Sequence, residues 1–99
     1  MESRLSANYV ANILYPVFKK YDVEKAVLFG SVAKGTAKHG SDLDILVHSN
    51  LKGLRFIGLL EDLKLASDMD VDLLDVSHIE TDSLVDKEIK KTGVVIYEK

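Results

Sequence analysis

The sequence predicts an α/β (α+β) fold, a small mixed sheet with helices packed against it, on three observations. Apolar residues at three- and four-residue spacing mark helices at the start, middle and end of the chain. Short apolar runs stand between them, and glycine- or serine-bearing turns separate the two kinds of segment, an alternation that packs helices on a sheet in two or three layers. With 99 residues, one domain covering 1–99 is expected, and 46% hydrophobic residues suffice for a modest core.

Leu5, Tyr9, Val10, Ile13, Leu14, Val17, Phe18 and Tyr21 fall on one helix face, which places a first helix up to about Lys20. Pro16 lacks the amide for the bond one turn back, so a bend is expected there. Residues 23–29 read as a first strand closed by Gly30, residues 31–35 as a short helical turn, and residues 36–40 as a loop. A second strand spans 43–47 and ends at Ser49 and Asn50.

From Gly53 or Leu54 to about Ser67, inward positions Leu54, Ile57, Leu60 and Leu63 give another amphipathic helix, its stripe widened by Phe56 and Leu59. Residues 71–76 form a third strand. Thr81 or Asp82 caps a last helix through Lys91 that turns Leu84, Val85 and Ile89 inward. Gly93 then leads to a short final strand at 94–97.

Several functional classes are set aside by composition. The chain has no cysteine, so disulfides and thiolate zinc sites are excluded. Its first ten residues lack the basic-then-apolar layout of a signal peptide, and no apolar run approaches the roughly 20 residues of a membrane span. A cytoplasmic protein with no membrane association is expected. A net charge of -3, with only small basic clusters at Lys19, Lys20, Lys87, Lys90 and Lys91, gives no strong drive toward nucleic acid.

The segment LFGSVAKGTAKHGSDLDILV carries the chemistry. Side chains alternate across a strand, so Asp42 and Asp44 point to one face while Leu43 and Ile45 point to the other. Two carboxylates held side by side repel, and a hard divalent cation with oxygen ligands, Mg2+, is the simplest compensation. In DMDVDLLD, Asp72 lies inside the apolar run and is the candidate third carboxylate, a base for an attacking hydroxyl. Asp68, Asp70 and Asp75 read as solvated turn or strand-end residues.

Gly30 and Ser31 lead from a strand directly into a helical turn, where glycine permits close approach and the amides attract phosphate. Ser31 adds a hydroxyl donor, and Lys34 or Lys38 supplies positive charge. The pattern is not a Walker loop, because Gly35 is followed by Thr36 and Ala37. An amide cradle beside a carboxylate pair is equipment for a nucleoside triphosphate with its metal.

GSVAKGTAKHGSDLD resembles the GS, ARG and SDxD signature of the minimal nucleotidyltransferases, small members of the DNA polymerase beta-like nucleotidyltransferase superfamily. The resemblance runs from Val23 through Val76 and implies the nucleotidyltransferase fold. It implies that Gly30 and Ser31 bind the triphosphate, with Lys34 and Ser41 in the nucleotide-binding set. Asp42 and Asp44 then hold Mg2+, and Asp72 completes the catalytic and metal-binding triad. Lys34 stands where arginine is common, which keeps the charge and forgoes a bidentate phosphate contact.

Short family members are often encoded beside a helical HEPN-domain toxin, and some transfer AMP from ATP to a tyrosine of that toxin. The resemblance therefore implies an antitoxin enzyme whose acceptor is a hydroxyl of a partner protein. A non-catalytic binding antitoxin and an antibiotic-type small-molecule nucleotidyltransferase are the alternatives. The remaining candidates have plainer roles: His39 in a solvated loop, His48 and His78 without partners at metal spacing, and Tyr9, Tyr15 and Tyr21 in helix packing.

Overall fold

The computed structural model describes residues 6–35 and 42–99. In chain order the elements are α1 (Ala7–Lys20), β1 (Lys25–Phe29), α2 (Gly30–Lys34), β2 (Leu43–His48), α3 (Leu54–Ser67), β3 (Val71–Asp75), a 3-10 turn (Val76–His78), α4 (Leu84–Thr92) and β4 (Val94–Glu98). The four strands form one mixed sheet in the order β3-β2-β1-β4. β1 runs antiparallel to both β2 and β4, while β2 and β3 are parallel and joined through α3, as a parallel pair requires.

The main core lies between one sheet face and helices α1 and α3. α1 brings Val10, Leu14 and Phe18, one turn apart, onto Ala26, Leu28, Leu43, Ile45 and Val47 of the strands. Ser6 caps the helix by accepting the Tyr9 amide at 3.1 Å. The helix continues through Pro16, whose exposed position leaves the unpaired carbonyl one turn back open to water.

β4 is fully formed and makes β1 a central strand. Ala26 pairs with Tyr97 whereas Val27 pairs with Val95, so Ile96 is the extra residue of a bulge. Both Ile96 and Tyr97 consequently reach the main core, where the Tyr97 ring meets Phe18 at 5.4 Å and Tyr15 at 5.6 Å.

Two helix stripes differ from the sequence expectation. In α3, Leu54 is 85% and Ile57 52% exposed, and the inward residues are Phe56, Leu59, Leu60 and Leu63. The reason is the contact with α1: Tyr21 packs over Gly58, where a side chain would collide with its hydroxyl, and donates to Asp62 at 2.8 Å. That line of contact turns Leu54 and Ile57 outward. In α4 the cap is Ser83, which accepts the Asp86 amide at 3.1 Å, rather than Thr81 or Asp82. Leu84 is 86% and Val85 37% exposed, and Ile89, partly buried, packs onto a smaller cluster of Val27, Phe29, Leu46, Leu74 and Ile79 on the opposite sheet face.

Asp75 also corrects the sequence reading, because it is buried rather than solvated. At the carboxyl end of β3 it accepts from Ser49 Oγ at 2.9 Å, from the Ser77 amide at 3.0 Å and from Ser77 Oγ at 2.6 Å. β3 therefore stops at Asp75 and Val76 enters the 3-10 turn. Burial pushes the carboxyl upward, but the bonds from Ser77 and Ser49, with His78 nearby, hold it below the usual carboxylate range.

Asp75→Ala strands these donors and is expected to cost about 1–3 kcal/mol, read as a lower urea midpoint at unchanged m value. Because the folded pKa is depressed, the contribution is complete above the ordinary carboxylate range and lost as pH falls through the folded value. The gap between the two proteins narrows in acid.

Candidate active site

β2 and β3 run in parallel register with Asp44 opposite Asp72. Leu43, Ile45 and Val71 on the other side of these strands enter the main core, which fixes the aspartates on the face that α1 and α3 leave uncovered. Asp72 is exposed on its edge strand, Asp44 is half-buried, and Asp42 stands exposed just ahead of β2. Among the described residues, no three acidic or imidazole side chains converge as a ready-made metal cage. The structure thus brings Asp44 and Asp72 together directly, with Asp42 close enough for its charge to act on Asp44.

Gly30 borders this pair from β1. Phe29 lies opposite Asp44 in the antiparallel register, and the next residue turns sharply with φ +78°. A Cβ at Gly30 would collide with Oδ2 of Asp44. Two demands therefore select glycine: a left-handed backbone and room for a carboxylate. Beyond it Ser31 is half-buried in the first turn of α2, and Gly35 ends that helix with φ +78°.

Helix α4 supplies the contacts that sequence reading did not find. The Gly30 amide donates to Thr92 Oγ1 at 3.2 Å, and the Thr92 hydroxyl donates to the Glu88 carbonyl at 2.9 Å. The Glu88 carboxylate lies 3.8 Å from Lys34 Nζ. These residues belong to the last helix, in which the sequence marked no site residue, and the pairing of β4 with β1 helps to carry them to the site. Ser41, Lys38 and His39 lie outside the described residues.

Asp44 has a carboxyl raised above the ordinary range, first by burial and then by the charges of Asp72, Asp42 and Glu88. Like charges directly across neighbouring strands oppose folding. The site presents oxygen donors and clustered negative charge next to a glycine-serine turn, a donor set suited to a hard cation rather than to a soft metal.

The family comparison agrees with this geometry. Residues 12–99 match the family model described as polymerase beta, nucleotidyltransferase. The chain belongs to the polymerase beta nucleotidyltransferase family. No curated protein matches it significantly. Among solved structures, this nucleotidyltransferase domain is similar to a chain of a toxin-antitoxin complex with AMP-PNP, at 26% identity and TM-score 0.76, covering 90% of this chain and 73% of that one. A tri-AMPylated Shewanella oneidensis HEPN toxin in complex with its MNT antitoxin matches at 22% identity and TM-score 0.70, covering 94% and 73%. A minimal nucleotidyltransferase matches at 21% identity and TM-score 0.71, covering 85% and 86%. The last two likenesses concern the nucleotidyltransferase fold.

Two substitutions test the physical account. Asp44→Asn removes a charge that the fold holds at a cost, and should raise stability at neutral pH by about 0.5–1 kcal/mol after solvent screening. Since the folded pKa is raised, this gain is present above it and disappears as pH falls toward the unfolded value, measured by thermal melts across pH. Gly30→Ala should act oppositely, losing about 1–3 kcal/mol to backbone strain and to the collision with Asp44.

Proposed function

We propose that this domain is a Mg2+-dependent nucleotidyltransferase that moves AMP from ATP to a hydroxyl of a partner protein, as the antitoxin of a HEPN-type toxin. The observation that carries the reading is the register of Asp44 with Asp72 beside the Gly30 turn, in a chain of the polymerase beta nucleotidyltransferase family. The toxin-antitoxin neighbour with AMP-PNP supports both the nucleotide and the kind of partner.

Asp42 and Asp44, with Asp72 beside them, would hold the metal; magnesium fits because it takes one or two carboxylates, substrate phosphates and several waters. When bound, it neutralises triphosphate charge and eases departure of pyrophosphate. Ser31, at the first turn of α2, donates to a phosphate oxygen, and Lys34 adds positive charge. Ser41 completes the nucleotide-binding set. The Gly30 amide is engaged by Thr92, so Gly30 acts by shaping the turn and clearing space for Asp44.

Asp72, exposed on the edge strand, takes the proton of the acceptor hydroxyl as its oxygen attacks the α phosphorus. The new O–P bond forms as the bond to the β-phosphate oxygen breaks, and pyrophosphate leaves. Positioning and charge neutralisation supply most of the acceleration.

The test uses ATP labelled at the α phosphorus, with Mg2+, added to an extract of the source cells together with native protein or Asp44→Asn. A labelled protein band with native protein, reduced at least about a hundredfold by the substitution, supports transfer and sizes the acceptor. Label on a low-mass compound instead points to the small-molecule class. Absence of label, with a bound partner whose mass shows no prior modification, favours a non-catalytic binding antitoxin.

A further inference from the structure

Helix α4 touches the glycine turn through two residues one helical turn apart. A hydroxyl has one proton, and that of Thr92 is spent on the Glu88 carbonyl at 2.9 Å. Its lone pairs are thereby turned to the Gly30 amide, 3.2 Å away. Gly30 is held in its left-handed conformation between this acceptor and the Asp44 carboxylate. Gly93 lets the helix end tightly here, since a side chain would press on the Ile89 carbonyl and Val27.

The second contact is electrostatic. Lys34 Nζ sits 3.8 Å from the Glu88 carboxylate, with the two side chains 48% and 39% exposed. Such a pair contributes little to stability, so it is readily exchanged for a partner of higher charge. A triphosphate is such a partner, and Glu88 itself repels it. The charge of Glu88 is also felt at Asp44.

We infer that α4 is the positioning element of the nucleotide site: Thr92 sets the Gly30 turn, and Glu88 holds Lys34 until a triphosphate displaces it. The inference rests on the nucleotide-binding reading above and names the residues that control it. Glu88 then lowers affinity for nucleotide in exchange for holding the Lys34 ammonium beside α4, whereas Thr92 raises affinity by fixing the Gly30 backbone.

The experiment measures binding of a fluorescent non-hydrolysable ATP analogue with Mg2+ to the full chain, at low and high salt. Glu88→Gln should tighten binding about three- to tenfold at low salt, with the gain shrinking at high salt. In a Lys34→Ala background the same change should have a smaller effect, a coupling that a purely structural role would not produce. Thr92→Val should weaken binding about tenfold, with recovery in Thr92→Ser, which keeps the acceptor; a folded valine form that binds as the native chain does overturns the role of Thr92. Native binding with an unchanged or weakened Glu88→Gln variant overturns the inference alone. Equal effects of Glu88→Gln with and without Lys34 do the same. No binding by the native chain overturns the nucleotide reading together with it.

Discussion

The parallel register that sets Asp44 opposite Asp72 is the constraint on which the site depends. Their register on β2 and β3 places two negative charges opposite each other, with Asp42 and Glu88 adding to the same field. A fold selected only for stability would put an apolar or oppositely charged pair there. The carboxylates stay because the other faces of the same strands leave them no alternative. Leu43, Ile45 and Val71 are committed to the main core, and a one-residue slip would exchange every buried residue for an exposed one.

The two sides of the sheet serve different ends. α1 and α3 cover one face with closely packed side chains, and the Tyr21 to Asp62 bond ties the helices together. Among the described residues the opposite face has the smaller cluster around Ile89, which seats α4, while Asp72 stays exposed and Asp44 half-buried. Rigidity on one side thus supports access on the other. Asp75 shows the contrast within one strand: its carboxylate is buried and saturated by hydrogen bonds, whereas Asp72, three residues earlier, is open. The same residue type is a structural acceptor at one end of β3 and a reactive candidate near the other.

Much of this was legible in the sequence because it depends on local periodicity. Alternation placed Asp44 with its face, the three-and-four spacing located α1, and Gly30 followed by Ser31 marked the turn. What escaped depends on distant packing. The inward stripe of α3 follows from Tyr21 lying over Gly58, a contact between residues far apart in the chain. The cap of α4 shifted to Ser83 because Asp86 bonds back to the Asp82 amide at 2.8 Å, which a tally of capping residues does not resolve. Asp75 resembled a strand-end aspartate until Ser49, on another segment, was brought beside it. Glu88 and Thr92 had no local signature, since their place is set by the pairing of β4 with β1.

That last dependence gives β4 a role beyond closing the sheet. The bulge at Ile96 keeps both Ile96 and Tyr97 in the main core, anchoring the end of the chain segment that carries α4. With β4 fixed against β1, the preceding helix has little freedom, and Gly93 sets its last turn against Val27. Thr92 therefore meets Gly30 from a helix whose following strand is anchored in the main core, where Tyr97 lies against Phe18 and Tyr15. The residue that orients the turn is thus held by a strand whose anchors, Ile96 and Tyr97, pack on the opposite side of the sheet. The glycine needs such support, because its left-handed backbone has no side chain of its own to hold it in place.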